Sequence, residues 1–302
     1  MNFLSRLLPQ KHPVLLISFS NLQKPRSTSL LRYDTRDGSE TWVDLGLDKE
    51  ASISSCTGIS GHDGRLYLLA TRRDVTHVFA FSQASLEPLW HQALPDVKDA
   101  HSLALLGPYA YVVSTGTDEV MRYTVTDQGF NDPQVAWTPS GADHDTHHLN
   151  SVTSHQGDVY VSGFGPKKTE RWSSADDGYI YNLSKDTYVK TAVYHPHTVI
   201  SYRGSLYYCD SSRAAFASMD APLVSLEGYV RGACFTSKNI VYVGTSMGRK
   251  VSKSTGIVNN PADNGEDWGF CGITRFDLTT RQQTKIDFSA HGREIYDIYH
   301  LA

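Results

Sequence analysis

The chain has 302 residues, 40% of them hydrophobic and 20% charged, with a net charge of −4 and 13 histidines. This is the composition of an ordinary globular chain, long enough for one large domain or two average ones. No basic patch offers itself to a phosphate backbone, which argues against nucleic acid as the main partner, and no apolar run is long enough to cross a bilayer.

The first twenty residues, MNFLSRLLPQKHPVLLISFS, contain apolar pieces, but PQKHP interrupts them, so no signal peptide is expected. Cys56, Cys209, Cys234 and Cys271 are scattered with no C-x-x-C pair. They read as reduced thiols of a cytoplasmic protein. Strand-like pieces come next, in HPVLLISFS, SLLRYDT and ETWVDLG.

From Thr57 onward one pattern recurs: a short strand, a glycine-bearing turn, and a strand rich in tyrosine and valine. TGISGHDGRLYLLA, HSLALLGPYAYVVS, NSVTSHQGDVYVSG and HTVISYRGSLYYCD begin at Thr57, His101, Asn150 and His197, and each has a tyrosine ten residues on. RGACFTSKNIVYVGT, from Arg231, is a fifth copy with one extra residue. The copies start 44, 49, 47 and 34 residues apart, and further strand pairs follow the hairpins, such as THVFAFS and PLWHQAL. Four short strands per repeat at this period predict a β-propeller. The last copy, REIYDIYHLA, supplies a single strand. The prediction is therefore one all-β domain over 1–302, a six-bladed β-propeller. Its N-terminal strands, within 13–46, pair with the C-terminal strand in 293–302, which removes the open sheet edge. A two-sheet sandwich would leave the truncated final copy unexplained.

In a propeller the first strand of each repeat lines the axis. Aligning the copies gives one ring of Thr57, His101, Asn150, His197, Arg231 and Tyr296. Two residues earlier lies a second ring of Ser55, Asp99, His148, His195, Tyr229 and Glu294. Strand alternation predicts that both rings face the axis. The long segments FGPKKTERWSSADDG and MGRKVSKSTGIVNNPADNGEDWG should emerge where these strands begin, with Trp172 and Trp268 walling a pocket or plugging the ring. Neutral imidazoles from adjacent repeats are a common way to hold a catalytic metal, so His101, His148 and His197 are the expected ligands of a divalent ion. Asp99 and Glu294 are candidates to join them as ligands or to orient an imidazole. His197, Arg231, Tyr296 and Glu294 form the candidate catalytic set, and Asn150, Asp99, His195, Tyr229 and Thr57 the candidate ligand-binding set. Arginine forks onto carboxylates and tyrosine moves protons. Together these residues suit a metal-dependent lyase, epimerase or hydrolase acting on a small polar or carbohydrate-like substrate. The alternative is a non-catalytic propeller binding a glycan, metabolite or protein partner, since polar residues along a wet axis need no catalytic duty. The run DHDTHH at 143–148 reads as a polar connection between repeats before it reads as a site.

The segments DAHSLAL, HHLNSV, HPHTVISYRGSLYYCDSS, GYVRGACF, YVGTSMGRK, FCGITRFDLTT and REIYDIYHL occur here in order. Over roughly residues 50–300 the chain thereby resembles the DUF4915 family. The resemblance implies a propeller-like fold and a glycan or other biosynthetic setting, with no established reaction. The sequence departs from the family pattern at STGTDEV, where an Asn-Thr and an aromatic are more usual.

Overall fold

The computed structural model describes residues 12–47, 52–141, 143–248 and 269–301. Among these, the chain is almost entirely antiparallel strands, with three short 3-10 turns. Most of the segment 247–269, including Trp268, lies outside the described residues.

The strands fall into units of four, each ordered from an inner strand outward. The inner strands are Ser55–His62, Ala100–Leu106, Leu149–His155, Pro196–Tyr202 and Tyr229–Ser237, followed by Gly292–Leu301. The last of these is completed from the other end of the chain. Gly292–Leu301 pairs antiparallel with Val14–Leu22, which pairs with Leu30–Asp34, which pairs with Glu40–Trp42. The hydrogen-bonded sheets among the described residues are five, because a single bridge, Ser20 to Ser55, joins this unit to the one that follows it.

Alternation along each inner strand sends apolar side chains to both sides, as in a sheet buried on both faces. Leu103 and Leu105 join a cluster with Tyr67 and Val78 of the preceding unit. Ala104, between them, joins Val152 and Val159 of the next.

Two sets of hydrogen bonds tie neighbouring units together. Hydroxyls on second strands, or just past their ends, donate to a carbonyl of the next inner strand: Ser18 to Thr57, Thr115 to Leu149, Ser162 to Pro196, Ser211 to Val230, and Ser246 to Ile295. On the inner strands, side-chain oxygens accept from a backbone N–H of the next unit. Ser102 takes Val152 at 3.2 Å, Ser151 takes Val199 at 3.0 Å, Thr198 takes Gly232 at 2.9 Å and Asp297 takes Ile59 at 2.9 Å. Gly58 and Gly232 stand in this same register without a side chain. A Cβ at Gly58 would meet Ser102 Cα at 2.8 Å, and one at Gly232 would meet Asp297 Cα at 2.9 Å. There the backbones approach each other directly.

Candidate functional site

Each inner strand carries a register irregularity at the same place. The ladders skip Thr57, His101, Asn150, Arg231 and Tyr296, and they skip Thr198 and Val199 just after His197. A bulge inserts an unpaired residue and re-aims its side chain. Thr198 takes φ = 49°, a costly value for a β-branched residue. Five of the six first-ring residues are therefore bulged, and His197 flanks a bulge. Its members Thr57, His101, Asn150, His197 and Tyr296 are buried, and Arg231 is nearly so.

The second ring is oriented differently from the sequence expectation. Asp99, His148 and His195 precede their strands and adopt left-handed φ of 49°, 51° and 52°. Strand alternation does not govern them. His195 packs flat on Phe164, with ring centroids 4.2 Å apart, and His148 lies 4.4 Å from Phe164 and 4.6 Å from Trp172. Phe164 and Trp172, from the segment after Asp158–Gly163, cover the histidines on this side. Lys167 lies over the Trp172 ring at 4.3 Å. Of the two expected roles for Trp172, the structure shows the plug.

The hydrogen bonds define the imidazole tautomers. Asn150 Nδ2 donates to His101 Nδ1 at 3.1 Å, so His101 Nε2 carries the proton, facing Asp99 at 3.5 Å. Asp99 itself is exposed. His148 Nδ1 donates to Asp145 at 2.9 Å. His195 Nε2 donates to the Trp172 carbonyl at 2.9 Å, and its Nδ1 accepts from the Tyr229 hydroxyl at 3.0 Å. His197 Nδ1 donates to the His195 carbonyl at 2.9 Å and lies 2.8 Å from Ser211 Oγ. Its Nε2 thus bears a lone pair, and that atom is buried without a partner.

Burial favours the neutral rings. It holds His195 down to about 4 and His197 well below the ordinary histidine value, with the Arg231 charge pushing His197 the same way. Burial also lowers His101, against the raising effect of Asp99. Arg231 pairs with buried Glu294 at 3.6 Å and lies over the rings of Tyr229 and Tyr296 at 5.1 and 5.2 Å. Asn21 Nδ2 donates to Glu294 at 2.8 Å. Arg231 Nε and Thr57 Oγ1 are buried without partners.

His101, His148 and His197 are neighbours: the His101 and His148 rings lie 5.2 Å apart, and Phe164 touches both His148 and His197. Both His101 nitrogens face protein groups, and no group of three or more His, Cys, Asp or Glu among the described residues is close enough to count as a candidate metal cluster.

The cavity also differs from expectation. About 390 Å³ of space runs along the axis, lined at one end by His101, Asn150, His197 and Tyr296 and at the other by residues beside the tight turns, among them Ser60, Ser154 and Tyr202. Of the two rings, Thr57, Arg231, Asp99, His148, His195, Tyr229 and Glu294 do not line it.

Several residues that matter were not singled out from the sequence. Asp297 lines the cavity, and its carboxylate also accepts the N–H of Ile298 at 2.9 Å. Burial raises it to about 7, against the pull of those two N–H groups. The repeat held a signal for it: one place after the first ring stand Gly58, Ser102, Ser151, Thr198, Gly232 and Asp297, all small or oxygen-bearing. Asp118, inside the divergent STGTDEV segment, accepts from the backbone of Thr146 and His147 at 2.6 and 2.5 Å. It thereby anchors the DHDTHH connection, in which Asp143 and His144 are exposed.

These features define an all-β, propeller-like protein with a polar axial cavity. The family model for DUF4915, a domain of unknown function, matches residues 97–302, about two thirds of the chain. The chain belongs to that family. No curated protein matches it. Among solved structures it is similar to one in the crystal structure of a nidogen/laminin complex, at TM-score 0.62 and 12% identity over 96% of this chain and 98% of that one. A protein of unknown function from Bacteroides caccae matches at 0.59 and 13%, over 96% and 98%. A luciferin-regenerating enzyme matches at 0.53 and 11%, over 76% of each chain. At these identities the likeness concerns the fold alone.

Proposed function

We propose that the protein is a closed six-bladed propeller that binds a small polyhydroxy carboxylate, such as a hexuronate, at the inner end of its axial cavity. Closure is supported by the sixth unit. Its inner strand Gly292–Leu301 packs against Ser55–His62, and Leu16, Leu30 and Val43 share an apolar cluster with Cys56, Ile59 and Leu66. Removing the last nine residues should lower the thermal midpoint by many degrees, and an unchanged midpoint would refute closure.

The binding reading is carried by one observation: His197 Nε2, at the cavity's inner end, and Arg231 Nε, just outside its lining, are buried with no hydrogen-bond partner. One is an acceptor and the other a charged donor. Leaving such atoms without a hydrogen bond costs about 1–3 kcal/mol each. A ligand bearing a hydroxyl beside a carboxylate satisfies both.

The same chemistry favours binding over proton abstraction. His197 is neutral at physiological pH, but burial and Arg231 make it a weak base. The four unbridged cysteines support a reducing compartment such as the cytoplasm. No helix among the described residues is long and apolar enough to cross a membrane.

Calorimetric titration with glucuronate, glucose and acetate tests the reading. Glucuronate should bind more tightly than the other two. Arg231→Ala and His197→Ala should each weaken it by about tenfold or more, the worth of a charge-assisted hydrogen bond. No heat from glucuronate at millimolar concentration would refute it.

A further inference from the structure

The long-segment face of the molecule is where the sequence expects a pocket or a plug, and Phe164 and Trp172 cover the histidines there. Trp172 and Phe164 are buried, at 7% and 3% exposure. Trp172 is held by its carbonyl on His195 and by Lys167 across its ring. At the other end of the cavity, Ser201 is exposed, and Ser60, Ser154, Tyr202 and Tyr299 are partly so.

Resting on the binding reading above, we propose that ligand enters the axial cavity from the tight-turn end, and that the rim there selects a pyranose ring. The rim chemistry suits that class. Ser60, Ser154 and Ser201 bring hydroxyls from three units. Tyr202 and Phe235 stack face to face at 4.1 Å, and the Tyr299 hydroxyl is held by Gln83 at 3.2 Å. Hydroxyls hydrogen-bond sugar hydroxyls, and aromatic surface covers the C–H faces of the ring. A cavity of about 390 Å³ lies at the small end of the usual range for ligand sites. A ring entering here meets the rim first and carries its carboxylate inward, past Asp297, to His197, with Arg231 just beyond the lining.

The chain contains its own reporter. Cys234 lines the cavity and is half-buried, while Cys56, Cys209 and Cys271 are fully buried. Labelling by methyl methanethiosulfonate, located by peptide mass mapping, measures access without any ligand. Ser154→Trp and Ser201→Trp should each slow Cys234 labelling, and glucuronate association, by about tenfold, whereas Trp172→Ala should change neither by more than about twofold. Two plugs guard against one of them failing to fold, and a thermal melt of each shows which can be read. Labelling that ignores both plugs, or that Trp172→Ala accelerates about tenfold, overturns the entrance. A wild-type protein whose labelling is gated as expected, but which binds no glucuronate, removes the binding reading and leaves the entrance standing.

Discussion

Asp297 makes the protein's stability depend on pH in a direction opposite to most carboxylates. Its side chain lies on the axis, partly reached by solvent but surrounded by protein, and accepts backbone N–H groups from Ile59 and Ile298. Burial raises it from 3.8 to about 7. The folded state therefore holds this proton more tightly than the unfolded chain does. Below the unfolded value both states are protonated and the group costs nothing. As pH rises through the window from about 4 to about 7, the unfolded chain ionises freely and the folded one does not, so stability is lost, and above the window the loss is complete. At about 1.4 kcal/mol per pH unit, and with a discount for partial exposure, the loss is roughly 2–4 kcal/mol. Nearby Cys209 and Cys234 stay protonated throughout, since burial raises both thiols. Asp297→Asn removes the titration and keeps one acceptor, and the missing second acceptor adds an offset nearly independent of pH. Urea unfolding of both proteins between about pH 5 and pH 8 isolates the effect, because all other titrating groups cancel in the difference. The variant should gain roughly 1–2.5 kcal/mol on wild type across that range, the rest of the loss lying below pH 5. A difference that stays constant, or that moves the other way, refutes the placement of a strained carboxyl at the axis.

His195 acts in the opposite sense. Its folded value is depressed to about 4, so the stability it contributes is present above the unfolded value and is lost as pH falls from about 6.5 to about 4. His195→Phe, which keeps the stacking on Phe164, should flatten the acid side of the pH–stability curve, and equal acid sensitivity in the two proteins would count against it. Thr198→Val deletes the oxygen that accepts from Gly232 N–H and should cost about 1–3 kcal/mol in urea unfolding, with a cost near zero ruling out this link between units. Dialysis against a chelator should leave the thermal midpoint unchanged, since both His101 nitrogens face side chains, Asn150 and Asp99. A fall of several degrees, reversed by zinc, would restore the three-histidine metal set.

Much of the fold was legible in the sequence because the repeat is written in residue types that the strand geometry requires. The tyrosine ten residues into each copy and the unpaired strand at the C-terminus suffice to place the inner strands and to pair 293–302 with the N-terminus. The first ring was legible for the same reason. The second ring was not, because alternation was carried back past the strand ends, where Asp99, His148 and His195 turn left-handed. Nothing in the letters HPH announces that His195 leaves its strand to lie on Phe164. The cover was half legible: Trp172 stood out as an aromatic in a long segment, but its packing against His148 depends on where that segment returns. Asp297 was missed because attention fell on the tyrosine beside it.

The two sets of ties between units explain how an axis can hold so many polar groups without losing the fold. The residues that fix one unit to the next are the second-strand hydroxyls and, on the inner strands, Ser102, Ser151, Thr198 and Asp297. Each of the latter stands immediately after a bulged or bulge-flanking residue of the first ring. Along one strand, then, neighbouring positions divide the work: one side chain holds backbone across the gap, and the one before it faces the axis. Within the first ring Asn150 and His101 are hydrogen-bonded to each other across units. Thr57 Oγ1, His197 Nε2 and Arg231 Nε have polar capacity the scaffold does not use. Of these three, His197 belongs to the lining of the axial cavity, so its Nε2 is the atom that the proposed ligand would meet first.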